Sequence, residues 1–281
     1  MRLSTLFLSS VALAAAAPAF AQDAPASPIT ITGSAGLVSD YRFRGVSQSD
    51  KEGAVQAGIT LNHESGFYAG TWGSNLSGWG TFGGSNMELD LFGGYKAKVG
   101  NGTLDVGLLW YMYPGGSDKT DFAEPYAKLS GVVGPVTLTA GVAYAPKQEA
   151  LGRWYSTGAL YTAGTPDDAG AKKDNLYLSG DAVAAIPTTP FSVKAHVGHS
   201  DGNKGLGPNG TSVAPTGSYW DWMFGVDTTY KNLTFGVSYV DTDIRFGSAK
   251  AQRINPSFSE GQDGGGSIAD GTVLFAITAA F

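Results

Sequence analysis

Four charged residues, Asp40, Arg42, Arg44 and Asp50, form the densest group of ionisable side chains in the sequence. An arginine guanidinium presents a planar fork of N–H donors that fits carboxylates and phosphates. Two arginines at one end of an extended segment would therefore suit a constriction that binds anionic solutes. They would equally suit a brace in which salt bridges link them to acidic neighbours. The sequence leaves these two interpretations open.

The three histidines, His63, His196 and His199, are the candidate general bases and metal ligands. Nucleophilic catalysis needs a nucleophile, a base and an orienting group within mutual reach, and the spacing offers no such triad. His196 and His199 would lie on opposite faces of an extended strand, which is poor geometry for one metal ion. We therefore predict no catalytic, metal or cofactor-binding site and no cofactor. A lipid hydrolase, the enzymatic alternative, would lose its activity on His196→Ala.

The overall composition excludes several further classes of function. Cysteine is absent, which excludes disulfides, thiolate metal sites and thiol catalysis. The formal net charge is −6 and no basic patch is present, so nucleic acid is not an expected partner. Only 15% of the residues are charged, against about 25% in a typical soluble domain. A surface so poor in charge would be weakly solvated by water.

The first 21 residues have the features of a signal peptide. Arg2 precedes an apolar run that Pro18 ends, and Ala19-Phe20-Ala21 forms an A-x-A cleavage site. The run is shorter than the roughly 20 apolar residues of a membrane-spanning helix. We expect residues 1–21 to be cleaved and residues 22–281 to form one domain, secreted across the inner membrane of a Gram-negative bacterium. An uncleaved anchor is the alternative.

Most of the remaining chain alternates apolar and polar residues with a period of two, which indicates β-strands. For example, Val55, Ile59 and Leu61 alternate with polar residues such as Gln56 and Thr60. Pro125 makes one of these strands the least certain, because proline cannot donate to a β-ladder. About twelve strands are predicted, at 29–44, 55–62, 67–74, 87–96, 103–112, 121–130, 136–144, 175–182, 191–198, 220–227, 233–239 and 273–281.

The connections between these strands alternate between short and long. Short turns are predicted near 63–66, 98–102, 131–135, 185–190 and 231–232, and long links near 44–53, 75–86, 114–120, 146–173, 200–218 and 242–269. Outer-membrane barrels alternate in this way, because their periplasmic turns are tight and their extracellular loops can lengthen. Strands in hydrocarbon must pair every backbone group, so such a sheet has to close. The expected fold is all-β, a transmembrane antiparallel up-and-down β-barrel with both termini on the periplasmic side.

In such a barrel the parity of each strand assigns its charged residues to the lumen, since a charge facing lipid is costly. The candidate lumen and mouth residues are Asp40, Arg42, Arg44, Glu88, Asp90, Lys96, Asp105, Glu124, Lys128, Asp181, Lys194, His196, Asp221 and Asp227. Acidic residues outnumber basic ones in this set. Because charged rings select ions by sign, we expect a mild preference for cations.

Aromatic residues near the strand ends would form the girdles that mark the two membrane interfaces. The candidates are Tyr41, Phe43, Trp72, Trp110, Tyr111, Tyr113, Tyr144, Trp220, Trp222, Tyr230, Tyr239 and Phe281. Ordinary packing within a β-sheet is the alternative explanation for them.

Several segments in the first half of the chain resemble one known family. They are residues 40–50, with the sequence DYRFRGVSQSD, and residues 65–75, with SGFYAGTWGSN, followed by Glu88-Leu89-Asp90, Tyr111-Met112-Tyr113-Pro114-Gly115 and Glu124-Pro125-Tyr126. In these segments the chain resembles the TorF family of porins. The second half is only loosely similar, and residues 157–173 look like an insertion. The resemblance implies an outer-membrane location and a channel-like role, without an established substrate.

The last residues are similar to the C-terminal signature by which the outer-membrane assembly machinery recognises its clients. Phe275 and Ile277 precede the terminal Phe281 on the same strand face. The expected partners are therefore this machinery, outer-membrane lipids and small solutes. The predicted function is a porin for passive diffusion of small polar or charged solutes. A non-conducting barrel that serves as an adhesin, receptor or structural anchor is the alternative, and the oligomeric state stays open.

Overall fold

The computed structural model describes residues 7–8, 11–12, 27–214, 216–244, 261 and 266–281. Within the predicted signal peptide it describes only Phe7–Leu8 and Val11–Ala12, which pair with each other. The rest of that segment lies outside the described residues. Cleavage after residue 21 therefore stays a prediction.

Twelve antiparallel strands in the described part of the chain close into one barrel. They are β1 Ile29–Val38, β2 Ala54–His63, β3 Phe67–Asn75, β4 Met87–Val99, β5 Gly102–Met112, β6 Phe122–Val133, β7 Val136–Gln148, β8 Lys173–Ala185, β9 Phe191–Lys204, β10 Thr216–Tyr230, β11 Leu233–Thr242 and β12 Thr272–Ala280. Each strand pairs with its neighbours in the sequence, and β12 pairs with β1. The prediction of a closed up-and-down barrel of about twelve strands is confirmed.

The alternation of apolar and polar residues gives the barrel an apolar face and a polar face, because successive side chains of a strand point to opposite sides. In β2, Val55 is 62% exposed on the outer face, whereas Gln56 is buried in the interior. The terminal strand β12 follows the same rule, with Phe275 and Ile277 exposed on the outside. The outer surface is consequently apolar, and the interior holds most of the polar and charged side chains.

Pro125 lies inside β6, opposite Leu108 of β5, and the strand continues regularly on both sides of it. Pairing of β6 with β7 begins only at Tyr126. Pro125 therefore has a ladder partner on one side only, like a proline in an edge strand. This position explains how a strand that looked uncertain in the sequence forms without a break.

The links divide into a short-turn end and a loop end. The short turns comprise residues 64–66, 100–101, 134–135, 186–190 and 231–232. The long loops are L1 (39–53), L2 (76–86), L3 (113–121), L4 (149–172), L5 (205–215) and L6 (243–271), of which L5 and L6 are only partly described. The predicted alternation of short and long links is therefore present, and both ends of the barrel chain lie at the short-turn end.

Helices are short wherever the chain is described. L2 contains a 3-10 helix, Gly78–Thr81, and L4 contains a one-turn α-helix, Gly158–Thr162, whose first turn is capped by the side chain of Thr157. Within the described ranges, no helix has the length and apolar character needed to cross a membrane.

Candidate functional site

L1 folds back into the barrel instead of extending β1. The sequence predicted that the first strand would continue to Arg44, but β1 ends at Val38. Residues 42–43 then pair with residues 46–47 in a miniature hairpin, whose turn places Arg44 and Gly45 at positive φ. A side chain on Gly45 would collide with Thr242 and Asp221, so glycine permits the close approach of L1 to the barrel wall. The alternation continues through this hairpin, which explains why the strand looked longer.

Arg44 joins L1 to the far wall of the lumen. Its Nη2 donates to both carboxylate oxygens of Glu124 on β6, each at 2.7 Å. The guanidinium carbon lies 4.1 Å from the centre of the Tyr177 ring, and Tyr111 donates to Glu124 at 3.2 Å. Burial opposes the charge of Arg44, but the neighbouring Glu124 carboxylate outweighs it and raises the pKa of the guanidinium above its ordinary value. Arg44 therefore stays charged in this buried position.

Arg42 holds L1 together and ties it to L6. Its Nε donates to Asp40 at 2.6 Å, and its Nη1 donates to the backbone oxygens of Gly45 and Ile268 at 3.0 and 2.8 Å. Ser47 donates to the other oxygen of Asp40 at 2.6 Å. Of the two interpretations that the sequence left open, this geometry favours the brace for both arginines.

Glu88 and Asp90 point into the same part of the lumen from β4. Glu88 accepts hydrogen bonds from Tyr41 at 2.7 Å and from Tyr113 at 3.3 Å. Burial, together with Glu88 and Asp90, raises the pKa of Tyr41 well above its usual value, so Tyr41 remains a donor. Oδ1 of Asp90 has no hydrogen-bond partner among the described residues. Neither carboxylate forms a salt bridge within the part of the chain that the structure describes.

Nearer the short-turn end, the lumen contains two further charged groups. His196 lies between Asp181 and Asp221, at 2.6 and 3.2 Å, and contacts the Tyr177 hydroxyl at 2.8 Å. Lys194 pairs with Asp227 at 2.8 Å. These contacts hold the imidazole ring of His196 against the inner surface of the barrel at strands β8 to β10.

Asp105 and Lys128 also face the lumen. Asp105 accepts a hydrogen bond from Tyr68 at 2.5 Å, and the Tyr68 hydroxyl contacts that of Tyr126. The Lys128 and Lys96 ammonium groups lie above the rings of Tyr126 and Tyr68, at 5.2 and 4.6 Å from the ring centres. The structure thus places every candidate lumen residue inside the barrel or in the inward L1, and joins most of them into pairs.

Five of the residues predicted as interface aromatics are inside the barrel, which corrects that prediction for Tyr41, Phe43, Trp72, Tyr111 and Tyr113. Tyr111 lies on the polar face of β5, so strand parity could have identified it. Trp72 shares the inner face of β3 with the buried Tyr68 and Ser74, so parity applies to it as well. Tyr41, Phe43 and Tyr113 belong to L1 and L3, and their inward direction depends on the paths of these loops. Trp110, Tyr144, Trp220, Tyr230, Tyr239 and Phe281 are exposed on the outside.

His199 lies on the opposite strand face from His196, as the sequence indicated. Its ring packs on Trp220, with ring centres 4.6 Å apart. Ser200 donates to Asn175 at 3.3 Å. Among the described residues, no group of histidine, aspartate and glutamate side chains is arranged to hold a metal ion.

Comparison with solved structures finds a porin and outer-membrane proteins of low sequence identity. A porin refined at 1.8 Å is 12% identical, with a TM-score of 0.40, and 81% of this chain aligns with 62% of that chain. OpdK of Pseudomonas aeruginosa is 13% identical, with a TM-score of 0.41, and 82% of this chain aligns with 58% of that chain. The COG4313 outer-membrane channel of Pseudomonas putida F1 is 8% identical, with a TM-score of 0.43, over 94% of this chain and 98% of that chain. The chain thus spans less than two thirds of the first two structures.

Comparison with curated protein sequences finds no match. The family comparison does not report the TorF family, so the similarity to that family stays a prediction. The profile that matches covers residues 22–281 and is described as a bacterial protein of unknown function, Gcw_chp. The chain therefore belongs to the Gcw_chp family.

Proposed function

We propose that the protein is an outer-membrane channel through which small polar or charged solutes diffuse passively. The observation that carries this proposal is a closed barrel with an apolar outside and a charged inside. Closure pairs the backbone of every strand with two neighbours, which a sheet in hydrocarbon requires. The exposed outer residues, such as Leu37, Leu108 and Phe224, suit contact with acyl chains.

The location in the outer membrane and the orientation of the barrel follow from the same proposal. The short-turn end would face the periplasm and the loop end the exterior, as in bacterial outer-membrane barrels. A cleaved signal peptide at residues 1–21 would deliver the chain, and the outer-membrane assembly machinery would insert it with the help of Phe275, Ile277 and Phe281. The TorF resemblance of residues 40–50 and 65–75 agrees with a channel of this kind.

L1 forms the constriction of the proposed channel. Arg44 and Glu124 neutralise one another there, as do Lys194 and Asp227 further along the lumen. Glu88 and Asp90 remain without a basic partner in the described part of the chain, so the narrow region has an excess of acidic groups, which carry negative charge when they are ionised. Such a charge attracts cations and repels anions.

We therefore expect reversal potentials in a potassium chloride gradient across a planar bilayer to favour potassium. Glu88→Gln should weaken this preference, because it removes one negative charge with little change in shape. Glu149→Gln, which removes a carboxylate in L4, is the matched control and should leave it unchanged. Reversal potentials that favour chloride would contradict the proposal.

The inward L1 also supports a second candidate, a barrel that does not conduct. In this function the exposed loops would act as an adhesin, receptor or structural anchor, and L1 would fill the lumen. The burial of Tyr41, Arg42 and Arg44 inside the barrel favours it. Single-channel recording on folded, purified protein distinguishes the two functions, since a folded barrel without discrete current steps supports the second.

We propose no enzymatic role. His196 contacts two carboxylates and a phenol. Ser200 donates to Asn175 instead, and Ser192 and Ser200 are each four positions from His196 along the strand, about 13 Å at about 3.3 Å per residue. Hydrolysis of a lipid ester by the purified protein, abolished in His196→Ala, would overturn this view.

A further inference from the structure

A small cavity lies at the loop end of the lumen, between L1, L2, L5 and the barrel wall. Glu88, Gln48 and Tyr219 line it together with aromatic rings that include Phe43 and Trp79. The cavity and its mouth enclose about 400 Å³, but a water-sized sphere fits in only about 20 Å³ of this space. A cavity needs roughly 10–15 Å³ of such space to hold one water. The closed part of the cavity therefore suits a single guest of about that size.

The electrostatic character of the cavity is negative. Its described lining includes the Glu88 carboxylate and contains no lysine or arginine. Asp90 lies next to Glu88 on the same face of β4, interacts with it electrostatically, and is 1% exposed. Two buried carboxylates without a basic partner are costly unless a proton or a counter-ion neutralises them. No described residue of the cavity lining offers this counter-charge, although the Arg44 guanidinium interacts electrostatically with Tyr219.

The polar groups around the cavity have acceptor sites that no hydrogen bond from a described residue occupies. Each oxygen of Glu88 accepts a single hydrogen bond, from Tyr41 or Tyr113, although a carboxylate can accept about four in total. The hydroxyl of Tyr219 is buried, and no described residue forms a hydrogen bond with it. Its oxygen can therefore accept from a guest inside the cavity.

We propose that this cavity binds a bare monovalent cation of about the size of water, with ammonium or potassium as the matching ions. Glu88 supplies the charge, Tyr219 supplies a second oxygen, and the ring faces of the lining add cation–π attraction. The site lies in the constriction of the proposed channel, and it gives the expected cation preference a specific cause. Binding itself does not require conduction, so the two proposals can fail separately.

Thermal unfolding of the full-length barrel in detergent tests the binding. We compare ammonium chloride with tetramethylammonium chloride at equal concentration and pH 8, because a ligand that binds only the folded state raises its stability. Ammonium should raise the unfolding temperature more than tetramethylammonium, which is too large for the cavity. An equal effect of both salts means a water-filled cavity only, and would overturn the proposal.

Two variants and one control assign the effect to the site. Glu88→Gln should abolish the difference between the two salts, whereas Glu149→Gln in L4 should preserve it. Tyr219→Phe should weaken ammonium binding by roughly threefold to tenfold, the effect of one hydrogen bond. Tyr219→Phe leaves no described partner unsatisfied, so it should fold even if Glu88→Gln does not. A full ammonium effect in Tyr219→Phe would overturn the assigned role of its hydroxyl.

Bilayer recording separates this site from the proposed function. If the barrel conducts, ammonium should permeate better than tetramethylammonium, and Glu88→Gln should reduce the ratio. If the barrel shows the ammonium effect on stability without current, the cation site is supported and the channel function is not. If it conducts without an ammonium effect on stability, the cation site is refuted and the channel function stands.

Discussion

Replacing Arg44 by alanine is expected to lower the free energy of unfolding by about 3–5 kcal/mol, the effect of removing one partner from a buried ion pair. Glu124 is 3% exposed and would lose the cation that both of its oxygens contact. L1 would also lose its link across the lumen. We therefore expect a several-fold rise in single-channel conductance together with the loss of stability. Denaturant unfolding and bilayer recording on the same preparation measure the two effects.

The controls for Arg44→Ala separate the ion pair from general effects of substitution. Glu124→Gln in the Arg44→Ala background should recover part of the stability, because it removes the unpaired buried charge. Lys119→Ala breaks an ion pair at the surface, where the side chains of Lys119 and Glu149 are 47% and 29% exposed, and should change stability by less than about 1 kcal/mol. Arg44→Ala with unchanged stability and conductance would show that L1 is held by other contacts.

The strands of the barrel were predictable because the evidence for each is local. A period of two over seven or more residues identifies the strand and both of its faces. Thr60 and Gln56 are buried as their parity requires, and Val55 and Leu61 are exposed. Pro125 does not interrupt β6, because at this residue β6 pairs with β5 only and its pairing with β7 begins at Tyr126.

The path of L1 was not predictable in the same way. Asp40, Arg42 and Arg44 continue the alternation of β1, so the local pattern is equally consistent with a longer strand. What turns the chain inward is a set of distant contacts, such as that between Arg44 and Glu124, which are far apart in sequence. Periodicity carries no information about such a pair. The same limit explains why Tyr41 and Tyr113, assigned to the interface, are inside the barrel.

Deleting Phe281 is expected to abolish most of the folded, membrane-inserted barrel. The seam between β12 and β1 has a short register, from Ala276 paired with Val38 to Ala280 paired with Ser34. Phe281 extends it by two backbone hydrogen bonds with Gly33, at 2.7 and 2.9 Å. In hydrocarbon each unpaired backbone group costs several kcal/mol, so loss of this residue weakens the place where the barrel closes. The fraction of protein with heat-modifiable mobility on gels measures the effect.

Substitutions at the C-terminus separate closure of the seam from recognition of the terminal ring. Phe281→Ala keeps both backbone hydrogen bonds with Gly33 and removes only the exposed ring, so a defect caused by closure alone should be much smaller than in the deletion. An equal defect in both variants assigns the effect to recognition by the assembly machinery. Phe224→Ala, which removes an equally exposed ring from the outer face of β10 and lies outside the C-terminal signature, is the matched control for lost apolar surface. Normal heat-modifiable levels after deletion of Phe281 would contradict both roles, since neither closure nor recognition would then depend on the last residue.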